Sequence, residues 1–177
     1  MRTLTLNRHR SGGFSMIELL VAVLVMGIGV LGISGLQLVS MQNNRAALQR
    51  AEAVQLAYDI LDRIRANPQN GVVGAPYAIA LGDGPGASTN CNDNACTEAQ
   101  MVTFDLNVWK CTLGNYNEEG TCDTLRNDGI IPSADEQPGL PQGDGSIALD
   151  GNGVITVTVQ WTERGNLVRT VAVSSQG

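Results

Sequence analysis

Histidine is nearly absent from this chain: among 177 residues there is one, His9. Charge is sparse as well, with 11 Lys and Arg against 17 Asp and Glu, and no acid precedes Phe14. Three of the arginines, Arg2, Arg8 and Arg10, lie in that opening stretch. Without the first thirteen residues, eight bases face seventeen acids, a balance of −9. An acidic body of this kind repels nucleic-acid phosphate, which argues against DNA or RNA as a partner. The one histidine would leave with the opening stretch, so a histidine-based enzyme is hard to build. Other catalytic signatures are missing too: there is no Walker motif and no paired-histidine motif. Gly32-Ile33-Ser34-Gly35 is one residue short of G-x-S-x-G and lies in an apolar run. Carboxylates scattered through loops read as solvated groups. The expectation is a protein that is not an enzyme and holds no cofactor and no metal.

What the chain does have is an apolar run. From Leu19 to Leu38 only Ser34 and Gln37 are polar. About twenty mostly apolar residues match the hydrocarbon thickness of a bilayer when helical. A buried core helix is the plainer reading, but a domain of this size has no reason to place one at its very start. A secretory signal would put its cleavage site after the apolar region. No A-x-A pattern follows the run, whereas Gly13-Phe14 precedes it. The basic opening, free of acids, should stay cytoplasmic and leave the C-terminal body outside. Gly27, Gly29, Gly32 and Gly35 interrupt the run, each at a cost of roughly 1 kcal/mol relative to alanine. Close helix–helix approach in lipid and local unwinding are both open readings of them.

The helical pattern continues past the apolar run, with no Gly or Pro from Gln42 until Pro68. A helix from Phe14 to about Ala66 is expected, on the order of 80 Å at 1.5 Å per residue. Ala47, Ala51, Val54, Tyr58, Leu61 and Ile64 recur at three- and four-residue steps and mark the face expected to be buried. Asp59 precedes Arg63 by four residues, the favourable order for a surface pair. Residues 68–94 and 114–145 read as loop. Between them, Val102, Phe104, Leu106 and Val108 alternate as in a strand, but Thr97 and Gln100 form a capping box. That tips the segment to a helix over 98–113. The tail reads as three antiparallel strands in "SIAL", "GVITVTVQWTE" and "LVRTVAVS". "DGNG" (Asp150 to Gly153) and "ERGN" supply the turns. The first faintly resembles the start of a calcium loop but lacks the remaining carboxylates.

"GGFSMIE" followed by the apolar run resembles the processing signal of type IV pilins and pseudopilins. "NNRAALQRAEAVQLAYDILDRIRANP" and "GLPQGDGSIALDGNGVITVTVQW" resemble the PilV-like minor pilins, the pilus modification proteins. The likeness covers residues 12–68 strongly and 139–161 moderately. It departs at Ser15-Met16, where Thr-Leu is usual. The resemblance implies that a prepilin peptidase cuts between Gly13 and Phe14 and methylates the new amine of Phe14. It implies an α+β type IV pilin fold, a long N-terminal helix packed on a C-terminal antiparallel meander. The expected parts are a leader over 1–13, a transmembrane half over 14–38, an amphipathic half over 39–66 and a periplasmic head over 67–177. Glu18 is the family's assembly glutamate. A carboxylate in apolar surroundings is costly unless paired, and the freed amine of a neighbouring subunit, staggered in the bilayer, can pair with it. The implied partners are other minor pilins, the major pilin, a large tip adhesin, the prepilin peptidase and the inner membrane. The implied role is fibre initiation at or near the pilus tip, in support of twitching motility and adhesion. A minor pseudopilin of type II secretion is the alternative.

Cys91, Cys96, Cys111 and Cys122 fall in the body expected outside the cytoplasm, where oxidation is favoured. Their spacing lacks the close pairs of a zinc ribbon. A helix over 98–113 would hold Cys96 and Cys111 about 22 Å apart, too far for a bridge. That excludes Cys96–Cys111 and, with it, Cys91–Cys122. Of the two remaining pairings, Cys91–Cys96 with Cys111–Cys122 closes the shorter loops and is the favoured one.

Overall fold

The computed structural model describes residues 12–67 and 75–176. The basic opening with His9, and the segment 68–74 that begins the first expected loop, lie outside the described residues. The chain divides into two compact units, one reaching Asn44 and the other starting at Arg45. A single helix, α1 (Met16–Ala66), enters both. It starts two residues later than the pattern implies and ends just before Asn67-Pro68, because the residue before proline avoids the helical region.

In the first unit α1 is apolar on all sides and its side chains are exposed. By length and composition it is long and apolar enough to cross a membrane. The helix runs unbroken through all four glycines of the run.

The second unit, here called the head, places the rest of α1 against a three-stranded antiparallel sheet in the order β1 (Asp144–Leu149), β2 (Val154–Glu163), β3 (Leu167–Gln176). In β2, Ile155, Val157, Val159 and Trp161 point inward and alternate with Thr156, Thr158 and Gln160, the period that strand pleating imposes. Ile147 sits opposite Val157, and Val157 opposite Val173. The turns lie at the expected places. Asp150 Oδ1 accepts the N–H groups of Asn152 (2.9 Å) and Val154 (2.7 Å), and Gly153 supplies the positive φ that closes the hairpin.

The helix face against this sheet is not the stripe that the spacing picked out. Ala53, Leu56, Ala57, Ile60, Leu61 and Ile64 are buried. Ala47, Ala51 and Tyr58 are exposed and Val54 is half-buried; only Leu61 and Ile64 belong to both sets. Two apolar stripes at helical spacing overlap on this segment. Propensity cannot rank them, and the larger side chains of the buried stripe fill the sheet face.

The second helix, α2 (Glu98–Leu113), begins at the capping box: Gln100 N–H donates to Thr97 Oγ1, and the Gln100 side chain takes the Thr97 N–H. It ends at Gly114, whose φ of +116° only glycine adopts readily. The segment after it returns to cap the helix, with Leu140 N–H donating to Leu113 O at 2.8 Å. Trp109 and Leu113 join α1 and the sheet in the main core. A Cβ on Gly145 would overlap the Trp109 ring, so the start of β1 lies directly on the indole.

Residues 114–145 are not wholly loop. They contain a further helix, α3 (Gly120–Asn127), whose Cys122 and Leu125 close a smaller core with Phe104, Val108, Cys111, Tyr116 and Ile131. Its eight residues carry only Cys122 and Leu125 as apolar anchors, too few for a periodic signal. The expected loop before α2 also carries structure: a 3-10 turn at Ala75–Tyr77 and a bridge from Ile79 to Ile147 on the outer edge of β1.

Candidate processing and assembly site

The start of α1 is built by its own first residues. Ser15 caps the helix: its carbonyl accepts from Glu18 and Leu19 N–H at 3.0 and 3.2 Å, and its Oγ lies 3.4 Å from Ile17 N. A hydroxyl at this position meets donors that the first turn leaves unpaired. The departure from threonine therefore keeps the group that matters. Sequence reasoning passed over Ser15 as a cap, although Ser-x-x-Glu over 15–18 is the signature of a capping box. Gly12 and Gly13 precede the helix, and nothing lies within 4 Å of where a side chain on Gly13 would stand. Phe14 is 79 % exposed. Glu18 lies in the first helical turn, exposed, where the helix dipole favours an anion. Gly13, Phe14 and Glu18 thus share one short open stretch. The four cysteines lie elsewhere, in the head.

There, α2 is anchored at both ends. The bridges are Cys91–Cys96 and Cys111–Cys122, with Cα separations of 5.5 and 5.3 Å. The first ties the loop that leads into α2, and the second joins α2 to α3. Cys111 and Cys122 are buried, whereas Cys91 and Cys96 are partly exposed.

Two buried polar clusters hold the loops that the bridges do not. In one, Asp105 on α2 accepts from Arg63 Nη1 at 3.2 Å and from the Tyr77 hydroxyl at 2.8 Å. Asn67 Nδ2 donates to the Tyr77 oxygen at 3.1 Å. Burial, and then the Asp105 carboxylate, push the Tyr77 hydroxyl well above its ordinary range, while the bond from Asn67 opposes the rise. In the other, Lys110 is 1 % exposed and its Nζ donates to Asp144 Oδ1 at 2.7 Å and to Ala80 O at 3.1 Å. Asp144 Oδ2 also accepts Gly82 N–H at 2.6 Å. Burial alone would raise the Asp144 carboxyl. The bonds from Lys110, Gly82 and Gly145 outweigh it and hold the group below the usual carboxylate range. These clusters fasten Tyr77, Ala80 and Gly82 to α2 and β1. None of their members was singled out from the sequence as a buried partner. The one available signal was a lysine set inside "VWKCTL". Among the described residues no group of three His, Cys, Asp or Glu is placed to hold a metal ion.

Two family profiles match the chain. One, described as the prokaryotic N-terminal methylation motif, covers residues 8–34. The other, the Tt1218-like family described as type IV pilin Tt1218, covers residues 35–107. Residues 35–107 are thus similar to a type IV pilin domain, preceded by a stretch similar to the methylation motif. No significant match is found among curated proteins or among solved structures. The methylation profile ends within the apolar run of α1, and the pilin profile takes in the remainder of that helix and most of α2. The fold is the α+β arrangement of a type IV pilin, an apolar N-terminal helix followed by a small antiparallel three-stranded sheet. Such a motif implies processing by a prepilin peptidase and partners in pilus assembly. The apolar helix behind it fits membrane anchoring and entry into a pilus fibre. Pilin domains are generally structural rather than enzymatic.

Proposed function

We propose that this pilin is a minor one, which joins a small initiation complex in the inner membrane, primes fibre growth and stays at or near the pilus tip. The observation that carries the pilin role is the open Gly13–Phe14 junction immediately before a capped apolar helix with Glu18 in its first turn. Cleavage after Gly13 would free the Phe14 amine for methylation. Glu18 would then pair with the corresponding amine of an adjacent subunit, so that the attraction exists only in the assembly and sets its register. The working division is a leader over 1–13, a spanning half over 14–38, an amphipathic half over 39–66 and a periplasmic head over 67–177. Support for a minor rather than a major subunit comes from the likeness of residues 12–68 and 139–161 to minor pilins. Companion minor pilins, the major pilin and a large tip adhesin would be its neighbours, and twitching motility and adhesion would depend on it.

The test is deletion of the gene and complementation with this chain. Surface pili, tip proteins and twitching should be lost and then return. If piliation is intact and export of folded proteins fails instead, the chain is a minor pseudopilin of a secretion system.

A further inference from the structure

We propose that the β2–β3 turn and the adjoining first turns of α1 in the head form a contact for anionic phospholipid headgroups, made while the pilin waits in the bilayer. The observation that leads there is the distribution of cations. In the described part of the head, Arg63, Arg65, Lys110 and Arg126 are each tied to an acid on or within the fold. Arg169 is tied to Glu163 at 3.0 Å. Arg45, Arg50 and Arg164 have no ion pair among the described residues. Among the described residues of an acidic protein, the unpaired positive charge thus lies at the start of the head and in one hairpin turn.

Arg50, Arg169 and the Glu163 paired with Arg169 line the same open cavity, about 480 Å³ in volume, between α1 and the end of the β2–β3 ribbon, which leaves Arg50 as its unpaired charge among the described residues. Trp161 lines it too. That residue is 2 % exposed, and its indole N–H has no acceptor among the described residues. A buried donor without a partner is costly, and a phosphate oxygen entering the cavity would supply an acceptor. Just beyond, at the start of β3, Leu167 and Val168 are 49 and 54 % exposed. Exposed aliphatic side chains between Arg164 and Arg169 in the sequence match a membrane interface better than open water. Sequence brings the lipid surface within reach. In the sequence, Ala46 on the cavity wall follows Leu38, the end of the apolar run, by eight residues. Arginine that reaches an anionic leaflet is attracted to it, and the attraction falls off within about a Debye length. An acidic partner protein would satisfy the arginines, but it would not explain why they follow directly on the membrane segment.

The proposal rests on the membrane-anchored state and not on a position in the fibre. The full chain is placed in lipid nanodiscs containing either phosphatidylglycerol or phosphatidylcholine alone, and amide hydrogen exchange is followed at residues 164–168. Exchange should slow about fivefold or more in phosphatidylglycerol discs, and the slowing should vanish in high salt and in Arg50→Glu with Arg164→Glu. The milder Arg50→Gln with Arg164→Gln should show a partial loss. Unchanged exchange in α2 reports that each variant is folded. Equal exchange in the two lipids, or slowing that survives both double variants, overturns the proposal. So does slowing that needs a second pilin and ignores the lipid, because the surface is then a protein interface. Failure to co-elute with the discs would overturn the anchoring itself and this contact with it.

Discussion

Replacing Lys110 with methionine tests whether the Lys110–Asp144 pair holds the head together or merely decorates it. The lysine is 1 % exposed, and the side chain of Asp144 is 12 % exposed. Methionine has a similar length, so the loss is mainly one of charge. Asp144 would keep the Gly82 and Gly145 N–H groups but lose Lys110, its one cationic partner among the described residues. Removing one member of a buried pair costs about 3–5 kcal/mol, which for a head of this size lowers the melting temperature on the order of 10–20 °C. Fluorescence is a selective readout, because both tryptophans, Trp109 and Trp161, lie in the head core. The response to pH should also flatten. In the natural chain the folded Asp144 titrates below its ordinary value of 3.8. Its contribution is therefore complete above that value and is lost as pH falls through the lowered folded one. In Lys110→Met, burial acts with less opposition and moves the folded value up from its lowered position, while the Gly82 and Gly145 bonds still oppose the rise. The variant then gains less from the ionised Asp144 above 3.8 and loses less as pH falls than the natural chain does. Adding Asp144→Asn should recover part of the loss. Asp62→Asn, which breaks the exposed pair with Arg65, should cost no more than about 1 kcal/mol. A Lys110→Met variant that loses no more than this control, with the same pH profile as the natural chain, would refute the reasoning.

The bridges should differ in reducibility. Mild reductant should open the partly exposed Cys91–Cys96 before the buried Cys111–Cys122, as partial-reduction peptide mapping would report. Serine at both 111 and 122 should cost about 3 kcal/mol, the chain-entropy value for a loop of this length, and an unchanged urea midpoint would contradict it. Replacing Gly13 with a bulky residue should block processing. Intact-mass analysis should find mature natural protein beginning at an N-methylated Phe14, and a retained leader in assembled protein would exclude the proposed cut. Glu18→Ala should be inserted, cleaved and normally folded in the head, yet support fewer pili. Normal pilus counts and twitching in a strain carrying only Glu18→Ala would count against the pairing of Glu18 with a neighbouring amine.

Legibility followed the range of the interaction. Thr97 and Gln100, three residues apart, were enough to choose helix over strand for 98–113. The rigidity of that helix then left local cysteine pairings as the simplest. Asp150 and Gly153 marked the first hairpin because the turn is completed by backbone N–H groups within four residues of Asp150. Ser15 is equally legible as a cap, from Ser-x-x-Glu, because its donors lie within the first helical turn. By contrast, α3 has two apolar anchors in eight residues, and nothing local distinguishes it from the loop around it.

The sequence by itself determined where the membrane-compatible segment lies, where α2 begins, how the three strands alternate and where their turns fall. Each depends on composition or on neighbours a few residues apart. Only the tertiary structure decided which of two apolar stripes on α1 is buried, since both have helical spacing and the choice belongs to the sheet that covers one of them. It alone joined Lys110 to Asp144, 34 residues away, and Arg63 to Asp105, 42 residues away. A lone charged residue in a sequence carries no mark of its partner. Pairing becomes favourable only once packing has removed both groups from water.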